Sequence, residues 1–221
     1  MKKLVIVGAG EFAQIAYEYF TYDSTYDVVA FSVHRKYLPE IPLLNDLPIL
    51  AIEDLANFYN KNEAELFVAI PASKMNTARE SVFLELKALG YRFASYVSSA
   101  SFVWRNAKIG ENCFIFENNV IQPFVTIGNN CVLWSGNHIG HRSRIEDNVF
   151  ITSHVVVSGY CVIGSNSFLG VNSTIIDNIE VARLNLIGAG SLIHKNTNEN
   201  SIYIGNPARP VPGKLATESD I

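Results

Sequence analysis

The chain has 221 residues, 48% of them hydrophobic and 17% charged, with 17 Lys+Arg against 21 Asp+Glu for a formal charge of −4. That composition can bury a core without disulfide or metal staples and excludes bulk disorder; the acidic balance leaves no electrostatic footprint for nucleic acid. No apolar run approaches the roughly 20 residues that span a bilayer, so the chain reads as soluble, with no membrane partner.

In chain order, Met1-Lys2-Lys3 followed by Leu4-Val5-Ile6-Val7 has the charged start of a signal peptide, but Gly8, Gly10 and Glu11 end the apolar stretch too early. It reads instead as a buried strand (3–7), and the compartment as cytoplasmic. Gly8-Ala9-Gly10-Glu11-Phe12-Ala13 is a glycine turn, and a helix follows over 14–20. A strand at 28–33, a short segment at 47–50, a helix at 52–59, a strand at 66–70 and a helix at 77–89 complete a small parallel sheet of βαβ units. GxGxxA after a strand is the shape that lets backbone approach a pyrophosphate at a helix N-terminus. A dinucleotide reader also needs a carboxylate about 20 residues on. Here that region reads Ala30-Phe31-Ser32-Val33-His34-Arg35 and has none. A redox cofactor is therefore not expected, and two readings of the turn stay open: a phosphate-bearing ligand on Gly8 and Gly10, or a purely structural turn.

From residue 103 the pattern changes. Stepping by six from Val103 to Ile193, all sixteen positions are aliphatic. The position two before is small or short at Ser101, Ala107, Cys113, Asn119, Cys131, Asn137, Ser143, Cys161, Ser167, Ser173, Asn185 and Ser191. All three cysteines fall there, have no metal-ligand spacing, and read as small core fillers. Glycine follows the aliphatic at 110, 128, 140, 164, 170 and 188, which suggests tight corners with unusual dihedrals. A six-residue unit is neither a 3.6-residue helix nor a hairpin meander; it belongs to a β-helix, about five coils of eighteen residues each. Eighteen-residue stacking predicts that Phe116 lies on Trp134 and Cys113 under Cys131, with both rings on the outside. Long flat faces and outward aromatics call for association. The division expected is 1–95, 96–200 and a tail at 201–221.

VIVGAGEFA at the start, VAIPASKMN at 68–76, the hexapeptide run, and Ile202-Tyr203-Ile204-Gly205-Asn206-Pro207-Ala208-Arg209 together resemble the sialic acid O-acetyltransferase-like sugar acyltransferases. That group includes N-acetyltransferases of nucleotide-linked 4-amino sugars of the bacillosamine and perosamine type. The resemblance covers essentially the whole chain. It implies an N-terminal Rossmann-like α/β domain that binds a nucleotide-linked sugar, then a left-handed parallel β-helix, with acetyl-CoA as co-substrate lying between subunits of a homotrimer. It also implies substrate contacts at Gly8, Gly10, Glu11, Phe12, Ser32, Ser73 and Lys74.

Acyl transfer from a thioester needs a group that accepts the nucleophile's proton, and imidazole suits that near neutral pH. Four of five histidines, His138, His141, His154 and His194, fall in the repeat region. In the family the base stands two residues after an inward aliphatic beside a carboxylate; Ile139, Gly140 and His141 match the spacing, but Gly140 and Arg142 flank the imidazole where an acid is usual. A nearby Arg142 would favour a neutral ring. His141 is the first candidate base. His138 and His154, the latter stacked near the Gly136-Asn137-His138 corner, are alternatives, with Asn137 as an orienting amide or a ladder residue. Gly170, Gly188 and Ala189 fit the family's coenzyme pattern, while Asn172 stands where glycine is commoner. Lys195, Arg209 and Lys214 could meet coenzyme phosphates. The function these features imply is acetyl-CoA-dependent N-acetylation of a nucleotide-linked amino sugar for a surface glycan. Sugar O-acetylation is the alternative, and a non-catalytic binding scaffold a third reading.

Overall fold

The computed structural model describes residues 1–219 and divides into two compact units, residues 1–71 with 81–96, and residues 72–80 with 97–219. In the first unit, β1 (Lys2–Val7), β2 (Tyr26–Val33), β3 (Leu43–Leu44), β4 (Leu47–Ala51) and β5 (Ala64–Val68) form one sheet in the order β3-β4-β2-β1-β5. All pairings are parallel except the β3–β4 edge hairpin, which the hydrophobic pattern did not predict. The run expected as a helix at 52–59 is a 3₁₀ turn, Ile52–Asp54, with a single α turn, Leu55–Phe58. The central strands are continuously apolar over residues 4–7 of β1 and 66–68 of β5, as parallel strands covered on both sides are; Leu4, Val5, Ile6, Leu66, Phe67 and Val68 are wholly buried.

The second unit is a left-handed parallel β-helix of sixteen two-residue strands, from Phe102–Val103 to Leu192–Ile193. Every third strand stacks with exact eighteen-residue register, Val120 on His138 on Val156 for instance. Three faces result. Face 1 carries Phe102–Val103 and its equivalents, face 2 Lys108–Ile109, face 3 Phe114–Ile115. Of the sixteen aliphatics, those from Ile115 to Ile193 are buried in one continuous core, with Val103 and Ile109 packed at its open end. The small positions face inward too. Each cysteine thiol donates to a carbonyl of the next coil, Cys113 to Gly128 O, Cys131 to Glu146 O and Cys161 to Ile176 O, all at 3.0 Å. Burial pushes the Cys131 and Cys161 thiols up, which keeps them protonated and inert.

The glycines after each aliphatic do not supply the unusual dihedrals. Positive φ occurs instead three residues after the aliphatic, at every sixth position from Asn112 to Gly190, with φ between about 54° and 78°. Asn fills seven of these fourteen corners because its short amide tolerates the left-handed conformation. The six glycines are needed for a different reason. A Cβ on Gly140 would stand 2.6 Å from Gly159 N, and one on Gly128 2.8 Å from Asp147 N, so the next coil leaves no room for it. Gly190, by contrast, is left-handed (φ +68°) with open space where a Cβ would point. Gly140→Ala should therefore cost about 3 kcal/mol through overpacking against immovable backbone. Gly190→Ala should cost about 1 kcal/mol through dihedral strain alone. Paired thermal melts check the order; equal midpoints would show that coil spacing is softer than the contacts imply.

Phe116 and Trp134 do stack, with centroids 4.4 Å apart and planes at 10°. Phe116 is only 2% exposed, however, and packs on Phe114 at 4.8 Å, so it presents no outward surface. The exposed aromatics of this unit are Phe102, Trp104, Phe124 and Tyr160. The segment read as a tail continues the helix: Ser201–Gly205 adds in parallel to Leu186–Ile187, and Ala208–Leu215 folds back on it antiparallel.

Residues 72–80 are bound to the corner between faces 2 and 3. There Asn112, Asn130, Asn148 and Asn166 form a ladder in which Asn112 Nδ2 donates to Asn130 Oδ1 (2.7 Å) and Asn130 Nδ2 to Asn148 Oδ1 (2.8 Å). The ladder's end is taken up by Glu80, whose two carboxylate oxygens accept from Asn148 Nδ2 (2.9 Å) and Asn166 Nδ2 (2.8 Å). Arg79, wholly buried, donates to Asn130 O, Asn148 O and Asn76 Oδ1, each at 3.2 Å, with its guanidinium over the Phe150 ring. Burial pushes it down to about 10, which still leaves it charged at neutral pH.

Candidate functional site

The three clustered histidines are sorted by the coil into different places. His138 lies within face 1, half-buried, between Val120 and Val156. His154 occupies a left-handed corner between faces 3 and 1, its ring over Gly136, where a Cβ would stand 2.5 Å from Nδ1. His141 is exposed at the other end of face 1, on the corner towards face 2. Eighteen-residue stacking thus brings His154 to the corner before His138, as the sequence implies, and separates both from His141.

Asn137 does not join the imidazoles. It is buried inward, its amide donates to Trp134 O, and its Oδ1 accepts Val155 N–H at 2.7 Å. Both ends of the side chain are used inside the coil, so Asn137 is a ladder residue and not an orienting group.

The ring of His141 lies over Gly159 of the next coil, where a Cβ would come within 2.7 Å of Cε1, and meets Tyr160 edge-on at 5.1 Å. The Arg142 guanidinium, expected beside the imidazole, sits instead over the Phe124 ring at 4.4 Å. The contact that sequence reading missed is Gln122. Its Oε1 accepts the main-chain N–H of His141 at 2.8 Å and lies 3.3 Å from Nδ1 of the ring. Nε2 of His141 has no hydrogen-bond partner among the described residues. The signal for Gln122 was the coil length: it stands eighteen residues before Gly140, hence one coil from it.

The coenzyme candidates fall into two groups. Gly170 and Gly188 spend their N–H groups in the coil, on Ile187 O (2.7 Å) and Tyr203 O (2.8 Å), and so offer no donor to a ligand. Asn172 is a left-handed corner residue on the His154 edge, which explains an asparagine there; Ala189 is exposed beside the same edge. Lys195 belongs to the His141 edge. The register Ile175 to Ile193 carries the column His141, Gly159, Asp177 on to Lys195, three coils from His141 and roughly 14 Å along the axis at the usual strand spacing. There a cavity of about 370 Å³ is lined by His194, Lys195, Asn196, Tyr203 and Arg209, with Arg209 Nη1 3.4 Å from His194 Nε2. Lys214 lies in the exposed return strand.

In the first unit the glycine turn is partly explained by packing. Gly8, at φ +135°, donates to Ser32 O at 2.8 Å, and a Cβ would stand 2.7 Å from Ala69 O. Ser32 is buried with Oγ on Leu50 O, and Phe12 is buried against Phe67, so neither side chain is open to a ligand. Gly10 caps the helix Glu11–Tyr22 without a side chain and has open space around it. Glu11 is exposed and already sets a negative charge at that helix start. In the second unit, Ser73 is half-buried and Lys74 exposed, at the head of the left-handed run Lys74, Met75 and Asn76.

The repeat region matches the family model described as bacterial transferase hexapeptide (six repeats), over residues 106–141 and 126–159. Among curated proteins no sequence matches the chain. Solved structures share its fold from end to end. The acetyltransferase domain of PglB from Neisseria gonorrhoeae is 21% identical, with 96% of this chain and 100% of that one covered and a TM-score of 0.84. PerB from Caulobacter crescentus, in complex with CoA and GDP-perosamine, is 19% identical over 96% of this chain and 98% of its own, with a TM-score of 0.83. WeeI from Acinetobacter baumannii is 18% identical over 96% and 100%, with a TM-score of 0.75. No helix among the described residues is long and apolar enough to cross a membrane.

Proposed function

We propose that the chain is an acetyl-CoA-dependent N-acetyltransferase acting on a nucleotide-linked amino sugar, with His141 as the base. The observation that carries this reading is an exposed imidazole with an uncommitted Nε2, standing on the same edge of the β-helix as a cationic cavity three coils away. A coenzyme laid along that edge would set its phosphates against Lys195 and Arg209 and bring its thioester towards His141. Support for the substrate comes from the fold shared with PerB, solved with CoA and GDP-perosamine, and with the PglB acetyltransferase domain, also solved with acetyl coenzyme A.

In this mechanism the neutral sugar amine attacks the thioester carbonyl while His141 Nε2 accepts the proton it loses. The tetrahedral oxyanion collapses, the C–S bond breaks, and the proton returns to the departing thiolate. The exposed Gly10 end of the first helix and the Lys74 ammonium are separate candidate contacts for a nucleotide phosphate. Gly170 and Gly188 shape the coil in this reading, and Asn172 and Ala189 border an edge away from the base. Exposed Phe102, Trp104, Phe124 and Tyr160 support assembly as a homotrimer, since a single chain leaves these rings in water.

Thiol release from acetyl-CoA in the presence of nucleotide-linked sugars tests the activity. Release that requires a free amine is the expected result. Release with sugars bearing hydroxyls alone would make the enzyme an O-acetyltransferase. CoA binding with no turnover on either panel would leave a binding scaffold and end the enzymatic reading.

A further inference from the structure

The usual carboxylate neighbour of the base is missing here, since Gly140 and Arg142 flank His141. The structure supplies a neutral substitute from the adjacent coil. Gln122 Oε1 accepts the His141 main-chain N–H at 2.8 Å, and that contact determines which way the amide faces, because its NH₂ there would set donor against donor. The same oxygen then lies 3.3 Å from His141 Nδ1. An amide oxygen can only accept, so the contact is favourable only when Nδ1 carries the proton, which leaves the lone pair on Nε2. One main-chain bond thereby orients the amide, and the amide selects the tautomer.

We propose that Gln122 is the positioning residue for His141, holding the neutral imidazole as its Nδ1–H tautomer so that Nε2 receives the substrate's proton. This rests on the reading of His141 as base. Unlike a carboxylate, Gln122 adds no negative charge, so it fixes the ring without favouring the imidazolium that forms during transfer. The titratable and charged groups around the ring, among the described residues, are Arg142, turned onto Phe124; Tyr160, edge-on at 5.1 Å; and Asp177, whose Oδ1 accepts Gly159 N–H at 2.9 Å beside the imidazole. Substitutions at Gln122 leave all three in place.

The test is nitrogen NMR of the full chain labelled with ¹⁵N-histidine and titrated with pH. Five histidines give a spectrum simple enough that His141 is assigned by its loss in His141→Gln. In the wild type the neutral His141 ring should be protonated at Nδ1. Gln122→Leu should release it towards the Nε2–H form and lower kcat about tenfold, with KM for acetyl-CoA unchanged. Gln122→Glu should keep the tautomer but move the His141 titration, and the acid limb of kcat/KM with it, up by about one to two pH units, because the new carboxylate stabilises the imidazolium. An Nε2–H ring in the wild type, or a tautomer indifferent to Gln122→Leu, overturns the proposal. Should Gln122→Leu switch the tautomer while His141→Gln keeps full turnover, the base assignment is what fails, and the role of Gln122 in transfer falls with it. If His141→Gln is inactive but Gln122→Leu changes neither tautomer nor kcat, only Gln122 is excluded.

Discussion

His141→Ala should lower kcat for acetyl transfer by about a hundredfold to ten-thousandfold, the range a positioned general base contributes. The affinity for CoA should not change, because the cationic cavity at His194, Lys195 and Arg209 lies three coils away on the same edge. The fold should tolerate the change, since the ring is exposed and its neighbours keep bonds that do not involve it: Gly159 N–H on Asp177 Oδ1, Tyr160 N–H on His141 O, and Gln122 Oε1 on the residue 141 main-chain N–H. His138→Ala is the matched control. It removes an imidazole from face 1 without touching the His141 corner, and turnover should stay within about twofold of wild type. Steady-state thiol release with both variants decides the matter. Loss in His138→Ala with retention in His141→Ala would move the base into the strand and detach it from Gln122.

Arg79→Ala should destabilise the second unit by about 3–5 kcal/mol, the largest stability effect expected from one substitution here. The guanidinium serves three acceptors at once, Asn130 O, Asn148 O and Asn76 Oδ1, all buried. Removing it strands these acceptors, and a buried acceptor without a donor costs about 1–3 kcal/mol. It also empties the space over Phe150. A fall in the thermal midpoint of roughly 10 °C follows for a chain of this size. Arg79→Lys should recover only part of the loss, because one ammonium cannot span three acceptors arranged around a planar fork. A shift under about 1 kcal/mol in Arg79→Ala would mean that water replaces the guanidinium and that the clasp is loosely closed.

Those two residues differ in how far they could be read in advance. The place of His141 at an exposed corner follows from the six-residue period, two positions after the inward Ile139; its choice as the base comes from the family resemblance. The coil length does the same for Phe116 and Trp134, and in principle for Gln122, one coil from Gly140. The asparagines at 112, 118, 130, 148, 166, 172 and 178 also keep that period, so the left-handed corners were written in the chain beside the aliphatics. Glycine after each aliphatic drew attention to the wrong position, because glycine serves both left-handed turns and close approach, and only the spacing of the coils separates the two uses.

Arg79 and Asn76 carry no comparable signal. They stand at the start of the helix expected at 77–89, outside the repeat, and their partners in the coil lie 51 to 91 residues away. Asn137 was ambiguous for a related reason, since an inward amide and an orienting amide have the same neighbours in sequence. By itself the chain determined that the repeats coil and stack: a period repeated sixteen times imposes one local geometry over and over, and apolar burial then stacks the coils, while the left hand came from the resemblance. Tertiary structure alone decided which polar atoms meet, the Asn ladder with Glu80, Arg79 with two coil carbonyls, Gln122 with His141. The contacts of Glu80 and Arg79 join residues outside the repeat to it at 2.8 to 3.2 Å, and a contact that does not recur leaves no periodicity to read.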